Sequence, residues 1–406
     1  MMGGTSVMFT EKQLDRYAEV LLWGLKKARS RRFKKNDLIL IRYHRPALRL
    51  AEILYAKILV MGMQPLQRMI PTPVMERDFF KLSNPRQLIF QTPGDKVLFQ
   101  GLNGSIFLHA PESITHLRDI DPKKIGKVAV AAKYLRDILN KREEAGDFSW
   151  TLCTFPTPEL AKHAGLSPED YTGQIVSACF LNRTSPQDHW DKIFNTARRI
   201  KKWLNGMKVD AYHIEAENID LIVTPGKNRK WIGISGHNIP SFELFLSPDW
   251  RGTQGVYYAN QPSYRSGNYV KGVRLEFNKG AVVGATAREG ERFLKSQLAM
   301  DKGANKAGEF SLTDRRFSRI DRFMANTLFD ENYGGRYGNC HLALGSSYSD
   351  SYIGDPGRLT PAAKKKLGFN DSALHWDLVN TEKKRVTARL ASGKKIVIYE
   401  NGVFLY

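Results

Sequence analysis

Three stretches of this chain carry residues that could hold a divalent metal. The first is His375-Trp376-Asp377, inside the apolar run Ala373 to Val379. That run reads as a strand, and strand residues two apart share a face. The imidazole and the carboxylate therefore project together, while Leu374, Trp376 and Leu378 turn to a core. A nitrogen and an oxygen donor on one face make half of a metal site. The second is His341, which starts the apolar run Leu342-Ala343-Leu344-Gly345. Tyr348 stands just past the end of that run, and the acidic cluster Asp330-Glu331-Asn332 lies upstream. The third is a pair of carboxylates in apolar surroundings, Glu243 in IPSFELF and Glu309 in GEFSL. Burying a carboxylate is costly unless it is paired or binds metal. Taken singly, each of these could be a surface residue on a half-exposed strand. Together, residues 243 to 377 supply enough mixed nitrogen and oxygen donors for two adjacent metal positions.

The remaining histidines read as ordinary imidazoles; His44, His116, His163 and His189 sit in helical or loop contexts without evident partners. Cys153, Cys179 and Cys340 lack metal-like spacing. Three thiols cannot all pair within one chain, which suits a reducing compartment, taken as cytoplasmic. Small buried thiols are the expectation.

The elements that must position these donors change character along the chain. The first half alternates strands and helices. Asp37 to Tyr43 reads as a buried parallel strand. Pro46 starts a helix that Gly62 closes, Asp121-Pro122 opens one that stops at Gly146, and Ser185-Pro186 opens one with a stripe through Trp190, Ile193, Ala197, Ile200 and Leu204. Trp150 to Phe155 is strand-like. No GxGxxG follows the first strand, so no dinucleotide site is implied. From Asp210 onward short strands and glycine turns dominate: Tyr212 to Glu217, Leu221 to Thr224, Trp231 to Ser235. At the end come Val386 to Leu390, Lys395 to Tyr399 and Val403 to Tyr406, with Asn401-Gly402 as a hairpin turn. Helices are expected near 289–300 and 315–328. The predicted fold is an N-terminal α/β domain (1–209), layered on a mainly parallel sheet. A mainly β, α+β catalytic domain (210–406) follows.

Length and composition agree with two domains: 406 residues, 42% hydrophobic and 25% charged. No apolar run approaches the roughly 18 residues that would span a bilayer, so no membrane partner is expected. Met1-Met2-Gly3-Gly4 reads as a ragged start without a signal-peptide core. The net charge is +21, and the first 50 residues hold 12 Lys+Arg against 4 Asp+Glu. Its centre, KKARSRRFKK from Lys26 to Lys35, reads as the exposed face and C-terminal end of a first helix, where cations suit the dipole. Single-strand nucleic-acid binders interleave aromatics with such charge, and this segment hardly does, so nucleic acid is not the expected partner.

In order, NIPSFELF, GEFSL, TLFDEN, HLALGSSY and ALHWDL resemble the thermophilic aminopeptidase T / aminopeptidase S family of metallo-aminopeptidases. The resemblance is close over about 230 to 380; before that only the strand–helix plan matches. It implies metal ligands at Glu243, Glu309, His341, His375 and Asp377. Glu331 would be another active-site carboxylate, a ligand or a neighbour of the ligands, and Tyr348 an active-site tyrosine. The expected function is release of N-terminal residues from peptides by a water activated between two divalent ions, zinc, cobalt or manganese. Glu309 would bridge the ions, Tyr348 would donate to the oxyanion, and Glu331 would carry a proton. The resemblance also implies a homodimer with its sites on an enclosed cavity. The +21 charge is not what it would suggest, and the stretch Asn332 to Cys340 is longer than in the shortest members. Two other readings fit the donors: a two-metal hydrolase of the phosphoesterase kind, and a basic nucleic-acid-binding protein with a degenerate site.

Overall fold

The computed structural model describes residues 8–406; the reading of Met1 to Gly4 falls outside that range. The first helix, Glu11–Lys27, starts at a capping box in which Thr10 and Gln13 satisfy each other's backbone N–H. Its Leu14, Tyr17, Ala18, Leu21 and Leu25 are buried at helical spacing. They close one face of a five-stranded parallel sheet. The spatial order is Gln64–Met69, Leu38–Tyr43, Gly104–His109, Ser149–Thr154, then Asn238–Ile239. Leu38–Tyr43 is interior, with Ile39 and Ile41 fully buried, as expected of an apolar run in a parallel sheet. The Asp121-Pro122 signal opens the helix Pro122–Glu144, with the Asp121 side chain accepting from the Lys123 N–H. The stripe from Trp190 to Leu204 lies on Pro186–Asn205, and a short 3-10 turn at Arg45–Ala47 precedes the helix Leu48–Val60.

The second half is a sandwich of two antiparallel sheets. The larger has eight strands, in the order Ala281–Thr286, Val273–Asn278, Gln254–Ala259, Asp220–Val223, Val209–Ala216, Lys384–Leu390, Lys395–Glu400, Val403–Phe404. Asn401 and Gly402 both take positive φ, 52° and 84°, and form the expected hairpin turn. The smaller has four: His375–Asn380, Asn339–Gly345, Ala307–Thr313 and Glu243–Leu246. Its inner face, Leu244, Leu246, Phe310, Leu312, Leu342, Leu344, Trp376 and Leu378, joins Tyr212, Leu221, Tyr257, Leu275, Val386 and Ile398 of the larger sheet in one core. Asn238–Ile239 returns to the edge of the parallel sheet, so the chain ties the two halves together next to Glu243.

Two expected elements differ. Trp231 to Ser235 is not a strand; only an isolated bridge joins Ile232 to Phe245. Gly233 and Ile234 have φ of 123° and 50°, which an extended strand cannot accommodate. The helix near 315–328 shrinks to Thr327–Asp330. The Asp314 carboxylate takes the Arg316 N–H, and the Asp330 carboxylate takes those of Met324 and Asn326. These side-chain acceptors compete with helical bonds and hold the segment in turns. The helix near 289–300 is present as Glu291–Leu298.

Candidate metal centre

The outer face of the four-stranded sheet gathers the candidate donors. Alternation along each strand turns Glu243, Glu309, Ser311, His341, His375 and Asp377 away from the apolar core. Register then sets their neighbours. Glu309, Ala343 and Asp377 form one row across three strands, and Ser311 and His341 form the next. Glu243 pairs with Thr313 at the sheet's other edge. Gly233 fixes that edge: a Cβ there would lie 2.2 Å from the Glu243 carbonyl oxygen.

Donor atoms converge. His341 Nε2 lies 2.9 Å from Glu309 Oε1, 3.3 Å from Glu243 Oε2 and 3.7 Å from Asp377 Oδ1. His375 Nδ1–H donates to the Ser346 carbonyl at 2.9 Å, which leaves Nε2 as the free nitrogen, 3.4 Å from Asp377 Oδ1. Two donor groups result, Glu243–Glu309–His341 and Glu309–His375–Asp377, each with its donor atoms within 4.8 Å of one another. Glu309 belongs to both. Glu331 belongs to neither; it caps the helix Thr327–Asp330 and is held by Asn238 Nδ2 at 3.1 Å. Ser311 Oγ donates to Glu243 at 3.0 Å. Tyr348 stacks edge-on against His375, with ring centroids 4.8 Å apart.

The electrostatics fit divalent cations. Burial, partly offset by His341 and reinforced by Glu309 and Asp377, pushes Glu243 up to about 8. Burial and then Glu243 and Asp377 hold Glu331 well above the usual carboxylate range. Burial opposes a charge on His341, but Glu243, Glu309 and Asp377 outweigh it and raise the imidazole to about 9. Burial works against Asp377 too, yet His375, His341 and Arg265 hold it low. Burial raises Tyr348, with Glu309 and Asp377 adding to the effect. Buried carboxylates crowded together are relieved by added positive charge, and a mixed set of imidazole and carboxylate donors suits divalent metal ions. His341 Nδ1 is buried without a hydrogen-bond partner.

Glu243, Glu309, His375 and Asp377 line a cavity of about 910 Å³. Phe107, His109, Trp150, Leu152 and Thr154 of the parallel sheet line it as well. Several lining residues gave no sequence signal. His237 bonds Glu143 at 2.7 Å, a pair 94 positions apart. Arg265 donates to the His375 carbonyl from a separate hairpin. Ser311 could have been found, because it follows Glu309 by two on a strand.

Three of the histidines expected to lack partners have them. His116 meets Glu76 at 2.7 Å, His163 meets Tyr264 at 3.2 Å, and His44 Nδ1 takes the Ala110 N–H. His189 stacks on Phe180. The cysteines are free and buried, as expected. No described helix is long and apolar enough to cross a membrane.

Buried carboxylates and imidazoles converging on the floor of a substrate-sized cavity make a site of the metallohydrolase kind. The model of the thermophilic metalloprotease (M29) family matches residues 10–404, and the chain belongs to that family. Aminopeptidase AmpS of Bacillus subtilis is 28% identical over 319 residues, 74% of this chain and 76% of that protein. Aminopeptidase T of Thermus aquaticus is 26% identical over 305 residues, 70% and 72% of the two chains. The structure of wild-type AmpT from Thermus thermophilus superposes with a TM-score of 0.77 at 21% identity, covering 98% of this chain and all of that one. That likeness supports the α/β plus antiparallel β fold. The chain is thus a metal-dependent peptide hydrolase of the aminopeptidase type.

Proposed function

We propose that this metallo-aminopeptidase works with two divalent ions, one in the group Glu243–Glu309–His341 and one in Glu309–His375–Asp377. The observation that carries the reading is that Glu309 is common to both groups, as a bridging carboxylate must be. When bound, the ions supply Lewis acidity toward a water and the scissile carbonyl, and a seat for the substrate's free amine. The chain's own residues do the rest. Tyr348, facing the cavity beside His375, donates its hydroxyl to the oxyanion of the tetrahedral intermediate. Glu331, set back from the donor groups and readily protonated, carries the proton from the attacking water to the leaving amine. If Glu331 is instead a ligand, its replacement lowers metal content as well as turnover.

Zinc, cobalt and manganese all suit this donor set. We further infer a division of the chain near residue 209, a homodimer, and a cytoplasmic setting consistent with three unpaired thiols. Metal analysis, followed by assays on aminoacyl amides before and after chelation, tests the two-metal reading. One ion per chain at full activity would overturn it. Phosphate esters belong in the same panel, since cleavage of these alone would favour a phosphoesterase.

A further inference from the structure

The end of the first helix does more than carry charge. Lys27 lines the catalytic cavity, and so does Lys201, which donates to the Gly233 carbonyl at 2.8 Å. Both ammonium groups lie over the Phe194 ring, 5.2 and 5.5 Å from its centroid. That ring, itself lining the cavity, brings the two cations together. Ser30 lines the catalytic cavity and also a second one of about 410 Å³, whose other walls are Lys26, the stretch from Arg29 to Lys35, Met61 and Met63.

The ion pairs divide this segment in two. Lys27, Arg29 and Arg31 are paired with Asp191, Asp37 and Asp147. Lys26, Arg32, Lys34 and Lys35 have no ion pair among the described residues. Arg32, Lys34 and Lys35 are exposed. Unpaired cations therefore line a second cavity that meets, at Ser30, the catalytic cavity with its carboxylates. A peptide held by its amine at those carboxylates must lead its remaining residues toward the rim.

We propose that this strip receives the acidic residues and terminal carboxylate of peptide substrates, so that the enzyme favours peptides acidic beyond their first residues. The proposal rests on the aminopeptidase reading and names the substrate class for that site. The unpaired cations attract such tails over a distance, lowering KM and raising association rate, and salt weakens the effect.

The test uses the full-length, metal-loaded enzyme and peptides sharing their first two residues, followed by acidic, neutral or basic tails. The expected KM for the acidic tail is about tenfold below that for the neutral one at low salt, with kcat similar. The ratio should fall toward one in high salt and in the variant Arg32→Gln/Lys34→Gln/Lys35→Gln. Equal KM across tails, or an acidic preference unchanged by salt and by the variant, overturns the proposal. Fluorescence anisotropy of a labelled, N-acetylated acidic peptide reads the strip without turnover. Salt-sensitive binding that the variant loses supports it, and binding equal in variant and wild type overturns it. If no tail is cleaved while the acidic probe still binds, the aminopeptidase reading fails and the strip stands.

Discussion

Glu309 and Asp377 stand in one row of the four-stranded sheet, two strands apart, with only the methyl group of Ala343 between them. That small residue leaves open the space toward which both carboxylates point. Replacing it by leucine should fill that space. Ala343→Leu is expected to cost about 1–3 kcal/mol through overpacking and to lower metal content sharply. Thermal unfolding and metal analysis of the variant check this; two ions per chain at wild-type affinity would contradict it.

His375 and Trp376 face opposite sides of one strand, so their replacements should separate site from fold. His375→Ala removes a donor nitrogen. It should cut metal affinity steeply while costing stability only in the ordinary range of about 0.5–3 kcal/mol. Trp376 is almost wholly buried and bonds Ser263 through its indole N–H. Trp376→Ala should cost roughly 3–5 kcal/mol and spare the donors. Metal content and unfolding are measured on both. A His375→Ala protein with full metal and activity would place the site elsewhere.

Tyr348→Phe keeps the ring against His375 and removes the donor. The expected outcome is a fall in kcat by about 10²–10³ with metal content unchanged. Loss of metal in this variant would mean the phenol serves the ligands instead of the reacting carbonyl.

Substrates should need a free amine. N-acetylated peptides are expected to be inert, and chelation should abolish cleavage of the unblocked ones, restored by added metal. Equal cleavage of blocked and free peptides, followed by chromatography of the products, would point to an endopeptidase.

The metal-free protein should lose stability as pH rises. Glu243 goes from 4.5 to about 8 and His341 from 6.5 to about 9, both upward. The folded empty site thus holds more protons than the unfolded chain between these limits. Stability contributed there is present at low pH and lost as pH climbs through about 8 and 9. Metal binding must displace the same protons, so metal affinity should rise with pH over that window. Unfolding curves with and without metal from pH 6 to about 9 follow both effects. A metal-free protein that gains stability with pH would refute the assignment.

The candidate donors were legible through the family resemblance, with strand alternation, a short-range rule, agreeing. His375 and Asp377 share a face on a two-residue period, and Glu243 and Glu309 stand out as charges in apolar runs. What joins them, the pairing of Glu309 through Ala343 to Asp377, spans 68 positions and leaves no mark in any local window. The same holds for His237 with Glu143 and for His116 with Glu76. The missing helix over 315–328 failed for the opposite reason. A local pattern was present, but the carboxylates of Asp314 and Asp330 took backbone donors that a helix needs. At Trp231 to Ser235, apolar residues suggested a strand, and Gly233 was needed instead for its close approach to Glu243.

One donor group draws on three strands and the other skips a strand to reach its partners, so no contiguous stretch of chain contains either. A ribosome must deliver nearly all of the polypeptide, through Asp377, before the second group can close. Until then the emerging chain can bring together at most the first group, Glu243, Glu309 and His341.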